Sequence, residues 1–227
     1  MTAAELISDN LPCVKPSDSL ELVLNWLEEF KVTQLPIVDK GKFIGIITEN
    51  NLLDAPDINA TLSEILYIEE ETPFAGGKTF FVYEGRHFYE VIALMSQFKL
   101  EILPVIDNEK NYLGVITARE MIQHLANVFA TNEEGCIVIV RTTQNNYSVS
   151  EIGRIVESVN AQILSLYMMN VPETNQIQIS LKLNVVNPER VTAAFERFKY
   201  EIVMSYFNVD RIEDYRRNLD ALFQMLD

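Results

Sequence analysis

The chain has 227 residues, enough for one large domain or two small ones, and 48% are apolar with only 8 Gly and 8 Pro, a globular composition with material for a sizeable core. Its formal charge is −15, divided as −11 over residues 1–129 and −4 over residues 130–227. So acidic a surface repels a phosphate backbone and excludes nucleic acid as an expected partner, while one or two local bases still suffice for a small nucleotide.

The opening "MTAAELISDN" carries acids where a secretory leader carries bases, and no apolar run approaches the ~20 residues of a membrane helix. A cytoplasmic location and no membrane partner are therefore expected. Cys13 and Cys136 are far apart and flanked by apolar residues, which reads as two reduced thiols. Next, Asp18 with Glu21 has capping-box spacing ahead of a helix whose face carries Leu20, Leu24, Leu27 and Phe30. "LPIVD" and "FIGIIT" follow as two β-branched strands joined by the turn "DKGK", a hairpin. A second helix is predicted from near Asn50, carrying Leu52 and Leu53.

This sequence of elements occurs twice. Displacing the chain by 68 residues lays 14–39 on 82–107 with 7 of 26 positions identical, among them Phe-Lys and Leu-Pro. After one inserted residue, "FIGIITENN" lies on "YLGVITARE", and the second copy's last helix continues with Met121, Leu125 and Val128 inward. One such unit cannot cover both faces of its strands, so the two copies are expected to pack together.

Strand, helix, "LPIVD" strand, "GIIT" strand and helix, given twice, resembles a tandem pair of CBS (cystathionine-β-synthase-type) domains. The resemblance places the first domain at 1–58 and the second at 59–130, with a linker over 59–79. It implies a cleft between the domains that binds an adenosine-containing ligand such as AMP, ADP, ATP or S-adenosylmethionine, with no cofactor required. The family motif Gly-x-x-Thr/Ser-x-x-Asp sets a hydroxyl on the phosphates and a carboxylate on the ribose. Carried over, the hydroxyls are Thr48 and Thr117, and the ribose positions are Asn51 and Glu120, neither of them the family's Asp. Leu11, Pro12, Gln34, Pro36, Ile102 and Pro104 would surround the adenine, with Lys15, Lys99 or Arg119 near the phosphates. A carboxylate accepts from both ribose hydroxyls more strongly than an amide oxygen can. Glu120 keeps the charge on a longer arm, whereas Asn51 loses it. A plain polar role in the helix's first turn is the competing reading for both.

Past the polar "TNEEG", "CIVIV" reads as a strand and a helix follows from Ser148 with Val149, Ile152, Ile155, Val156 and Val159 on one face. "AQILSLYMM" is a second strand, and "QIQISLKLNVV" alternates apolar and polar residues, a strand with one wet or partner-facing side. Asn187 and Pro188 are expected as N-cap and first residue of a helix bearing Val191, Ala194, Phe195 and Phe198, before the strand "YEIVMSYF". The resulting βαββαβ order is ferredoxin-like and resembles an ACT domain over 135–207. CBS pair and ACT-like domain together look like bacterial acetoin-utilisation-type regulatory proteins. The fold class expected is therefore α+β. The ACT ligand loop falls at 142–151, where "TTQNNYSVSE" lacks the Pro and Gly of that family's turn. Residues 208–227 are expected to form an amphipathic helix, with Ile212, Tyr215, Leu219, Leu222 and Leu226 in a stripe that suits either this chain's core or a partner groove.

Other motifs dissolve on inspection. "GGKT" at 76–79 lacks the first Gly and the following helix of a phosphate loop, and "EEE" at 69–71 reads as a solvated face. His87 and His124 have neither metal nor triad spacing, and the sequons at Asn59 and Asn146 need a secretory context. No metal set or nucleophile has supporting spacing, so no enzymatic activity is expected. The leading expectation is a homodimeric regulator that senses a nucleotide and acts on another protein. The alternatives are a structural interaction module with lapsed nucleotide sites, and an amino-acid sensor acting through the ACT-like domain.

Overall fold

A computed structural model describes residues 1–8, 10–53, 60–64 and 80–207, apart from the Leu53 side chain. The linker motifs "EEE" and "GGKT", the Asn59 sequon and the helix expected over 208–227 lie outside the described residues. The chain divides into two compact units, Met1–His124 and Leu125–Asp227.

In the first unit a 3-10 turn, Ala3–Leu6, precedes α1 (Leu20–Phe30), the hairpin of β1 (Gln34–Asp39) and β2 (Lys42–Thr48), and α2 (Glu49–Leu53). The second copy supplies β3 (Val82–Tyr83), α3 (Phe88–Phe98), β4 (Ile102–Ile106), β5 (Tyr112–Thr117) and α4 (Ala118–Val128). Duplication holds down to strand register. Pro36 lies opposite Ile46, Ile37 opposite Gly45, and a bulge falls between Ile37 and Val38. Pro104 lies opposite Val115, Val105 opposite Gly114, and the bulge falls between Val105 and Ile106. Parallel pairing repeats too: Val14 bridges Ile37, and Val82 pairs with Val105.

Each repeat's first helix buries the same three positions, Leu20, Val23 and Leu27 in α1 and Phe88, Val91 and Met95 in α3. The predicted face was slightly rotated: Leu24 and Phe30 are only half-buried, because Val23 takes the centre of the stripe. The cap also shifts by one residue. Ser19 Oγ accepts from the Leu22 N–H at 3.3 Å, while Asp18 turns back to accept from the Lys15 N–H at 2.8 Å. Both helices end on a lysine in the left-handed conformation, Lys31 and Lys99, each at φ 53. Of the residues expected inward on α4, Met121 is buried and Leu125 half-buried, but Val128 is exposed.

The first residues pair with the second repeat. Thr2 bridges His87, the Ala3 N–H donates to Arg86 O at 2.8 Å, and the Ser8 N–H donates to Val115 O at 2.8 Å. Where this segment crosses β5, Gly114 has φ +151, and a Cβ there would stand 2.3 Å from Cγ2 of Ile7. The hairpins of the two repeats also meet: the Phe43 N–H donates to Lys110 O at 3.2 Å, and Phe43 stacks on Tyr112 with centroids 6.5 Å apart. The packing expected between copies is present.

The second unit contains β6 (Cys136–Thr143), a 3-10 turn Gln144–Asn146, α5 (Val149–Glu157), β7 (Ile163–Asn170), β8 (Gln176–Leu183), α6 (Glu189–Arg197) and β9 (Glu201–Phe207). Its antiparallel sheet has strand order β7-β8-β6-β9. The predicted βαββαβ order is therefore present. One sheet face is buried with the two helices through Val138, Val140, Ile179, Leu181, Ile152, Ile155 and Phe195. Val149 and Phe198 fall outside that core and are exposed, at 55% and 52%. Asn187 acts one residue earlier than expected, accepting the Glu189 N–H at 2.9 Å with Pro188 in the cap position. On the other face, expected to be wet or partner-facing, Ser180 and Lys182 are buried.

The two cysteines differ in access. Cys136 is fully buried and its thiol is pushed above the ordinary range by burial, whereas Cys13 is half-buried. Because the thiolate is the reactive form, a native protein treated with a thiol reagent should label first at Cys13. Peptide mapping of early time points checks this, and equal labelling would contradict the packing around Cys136.

Candidate functional site

A cavity of about 430 Å³ in the first unit collects residues from three places: Ser8, Asn10 and Leu11 near the N-terminus, Phe30–Thr33 at the end of α1 with Glu101 before β4, and Thr117–Glu120 where β5 passes into α4. Its size falls in the ~300–1,000 Å³ range of small-molecule pockets. The start of α4 brings the positive end of an 11-residue helix to one wall, where the Ala118 N–H is already given to Glu101 O at 2.8 Å. Arg119 and Lys31 line the same space, both exposed, and neither forms an ion pair among the described residues. Opposing them are two carboxylates. Glu101 Oε2 accepts the Thr33 O–H at 2.7 Å and its N–H at 3.3 Å.

Glu120 is the most connected side chain there. Its Oε1 accepts the Ser8 O–H at 2.5 Å and the Asn10 Nδ2–H at 3.2 Å, and its Oε2 accepts the Thr117 O–H at 3.3 Å. Thr117 Oγ1 in turn accepts the Glu120 N–H at 3.2 Å, which caps α4. A Thr-x-x-Glu spacing is that of a capping box, in which the acid bonds back to the first residue's own N–H. Here the acid reaches instead to the N-terminal segment and stands at the cavity wall.

The matching position in the first repeat closes on itself. Asn51 Oδ1 accepts both the N–H of Thr48 at 3.0 Å and its O–H at 2.5 Å, and Thr48 Oγ1 accepts the Asn51 N–H at 3.3 Å. That is a reciprocal cap, with every oxygen involved already engaged. Thr48→Ala should therefore cost about 1 kcal/mol, as loss of a cap does. It should leave ligand-induced shifts in melting temperature unchanged, and a lost shift would return Thr48 to the binding residues.

Of the positions singled out in the sequence, the cavity thus unites Leu11, Thr117 and Glu120, with Arg119. Thr48 and Asn51 form their own cluster, and Lys15 and Lys99 do not line this cavity. Pro12 is half-buried beside Leu11 but is not among the lining residues. Pro36, Ile102 and Pro104 are buried within their hairpins. Gln34 is half-buried, and its Oε1 is buried without a hydrogen-bond partner. Sequence reasoning missed Ser8, Asn10, Lys31, Thr33 and Glu101. The one available signal was that Phe-Lys, at the end of each repeat's first helix, is identical in both copies.

No helix among the described residues is long and apolar enough to cross a membrane, and no group of three or more His, Cys, Asp or Glu among them is placed to hold a metal. Residues 3–58 and 78–127 each match the family model for the CBS domain. The N-terminal region is a tandem pair of CBS domains. Among curated relatives, the inosine-5'-monophosphate dehydrogenase of Korarchaeum cryptofilum is 25% identical over 132 residues, covering 58% of this chain and 26% of the dehydrogenase. The chain thus spans about a quarter of that relative's length, and the match is to its CBS region. Among solved structures, a CBS domain pair/ACT domain protein from Thermotoga maritima is 21% identical with TM-score 0.46, over 55% of this chain and 96% of that one. The structure of CBSX2 in complex with AMP is 23% identical with TM-score 0.42, over 55% of this chain and 95% of its own. CBS pairs are regulatory modules, and the fold is mixed α and β.

Proposed function

We propose that the CBS pair binds one adenosine-containing ligand, AMP, ADP, ATP or S-adenosylmethionine, in the cavity between Lys31–Thr33 and Thr117–Glu120. The observation that carries this reading is the convergence on one cavity of a helix N-terminus, a hydroxyl and two cations without an ion pair among the described residues, together with the carboxylates of Glu101 and Glu120. The Thr117 hydroxyl, Arg119, Lys31 and the positive end of α4 meet the phosphates or the carboxylate of S-adenosylmethionine. Glu120 accepts from the ribose hydroxyls, which take the place of the exposed Asn10 amide. Leu11, with the neighbouring Pro12, lies against the adenine. Pro36, Ile102 and Pro104, buried in their hairpins, act through those hairpins rather than by direct contact, as does the half-buried Gln34.

The closed Thr48–Asn51 cap favours a second reading for that position alone: it is a structural element whose nucleotide role has lapsed, so the pair carries one working cleft. In this reading the domains are 1–58 and 59–130 for the CBS pair and 135–207 for a ferredoxin-like domain of ACT type, followed by a terminal amphipathic segment. The protein is a cytoplasmic, non-enzymatic homodimer. Ligand binding alters the placement of the repeats, and a regulated partner protein reads that change. Such coupling requires the ligand to prefer one arrangement over the other. The ACT-like loop at 142–151 carries an amino-acid-sensing role only as an alternative.

The test is thermal melting and calorimetry of the whole chain against AMP, ADP, ATP and S-adenosylmethionine. A ligand at 100 times its Kd stabilises by about 2.7 kcal/mol. At least one of the four should raise the melting temperature, and Thr117→Ala should remove the rise. The ligand-induced difference is the readout, because loss of the Thr117 cap lowers the baseline as well. Absence of binding by all four at about 1 mM, an affinity weaker than about 4 kcal/mol, overturns the proposal.

A further inference from the structure

The second unit contains a cavity of about 470 Å³ on the sheet face opposite its helices, lined by Phe129, Ile137, Ser165, Tyr167, Ser180 and Lys182, among others. Strand alternation places Ser180 and Lys182 side by side on this face, while Ile179, Leu181 and Leu183 point to the helices. Both are more than nine-tenths covered, with Ser180 at 2% and Lys182 at 9% of full exposure. Ser180 Oγ is buried with no hydrogen-bond partner among the described residues. Lys182 Nζ makes one long bond, 3.4 Å to Gly135 O, and pairs with no carboxylate among the described residues. Burying an ammonium without a counter-charge is costly, and a fully covered hydroxyl without a partner adds to the cost. Both costs fall on neighbouring residues of one strand, in a chain of formal charge −15 with many carboxylates to choose from. Among the described residues, no carboxylate lines this cavity. The apolar part of the wall is aromatic: Phe129 and Tyr167 meet edge to face with centroids 5.6 Å apart, and Ile137 lies opposite Lys182 in the sheet. Ser165 is already committed, donating to Phe129 O at 2.9 Å and so tying the segment before β6 to β7.

We infer that this cavity is a binding site for a small organic anion, a carboxylate carried on an apolar body. The carboxylate accepts from the Lys182 ammonium and the Ser180 hydroxyl, supplying the counter-charge and the missing partner together. The apolar body lies against Phe129, Tyr167 and Ile137. The site belongs to the second unit alone and does not depend on nucleotide binding by the CBS pair.

The test is calorimetric titration of the full chain with 3-phenylpropionate, its neutral amide and inorganic phosphate. The carboxylate should bind, the amide should bind about tenfold more weakly or worse, and Lys182→Met should lose about the same factor, as expected for a charge-assisted bond. Ser180→Ala, which retains the fold and the charge, should weaken binding a few-fold. Without ligand, Lys182→Met should melt at a higher temperature than the parent chain, since it removes a buried unpaired charge. Equal affinity for acid and amide, no binding of the acid at about 5 mM, or binding of phosphate alone would each overturn the assignment. A lower melting temperature for Lys182→Met would also overturn it, by making the lysine a structural donor to Gly135.

Discussion

Replacing Gly114 by alanine should destabilise the first unit by about 2–6 kcal/mol, combining ~1–3 for overpacking with ~1–3 for a backbone conformation that side-chain-bearing residues avoid. The added Cβ would meet Ile7 Cγ2 at 2.3 Å while φ stays at +151, so the Ile7 side chain must shift where the N-terminal segment crosses β5. Gly85→Ala is the matched control: nothing lies within 4 Å of its would-be Cβ. The chain's single tryptophan, Trp26, packs against the core of the first unit, so its fluorescence in urea follows that unit separately from the other. If the two variants unfold at the same urea concentration, the close crossing of Ile7 over Gly114 is wrong.

The largest effect on binding should come from reversing the two cavity cations together, Lys31→Glu with Arg119→Glu. Each charge-assisted bond contributes about 1.5–3 kcal/mol, so the pair should lose nucleotide affinity by a hundredfold or more. Lys15→Glu with Lys99→Glu alters net charge equally but leaves the cavity lining untouched. That control should cost less than about tenfold, the residue of long-range screening between exposed charges. Equal losses in the two double variants would show a diffuse field rather than a site, and the cavity assignment would fail.

What could be read from the sequence follows from how local each feature is. The repeat was legible because helix stripe, Leu-Pro strand and Gly-x-x-Thr strand recur in fixed order, and even the bulges at Ile37 and Val105 fall in register. Likewise, the alternation along β8 gave its helix-facing side correctly. Its other side looked wet because Ser180 and Lys182 are polar, and only the tertiary placement of Phe129 and Ile137 covers them. The cavity around Glu120 was half legible: Thr117 and Glu120 stand in a motif, whereas Ser8 and Asn10 reach it through pairing across more than a hundred residues. Lys31 was hidden for a different reason. A lysine ending a helix in the left-handed conformation has no sequence signature as clear as glycine's. Finally, Thr48 and Asn51 show that one spacing serves two purposes, since a ligand motif and a helix cap demand the same residues.

The pairing of residues 2–8 with the second repeat bears on how the chain can be cut and how it is made. A fragment ending after the first repeat carries an opening segment whose neighbours, around Arg86 and Val115, are missing; a fragment starting after the first repeat leaves those neighbours bare. The natural dissection moves residues 2–8 to a position ahead of the second repeat, beside the residues they pair with. On the ribosome, the opening residues must wait for Val115 and Glu120 before they can dock. Closing so long a loop is slow, so the cavity is completed only after both repeats have emerged.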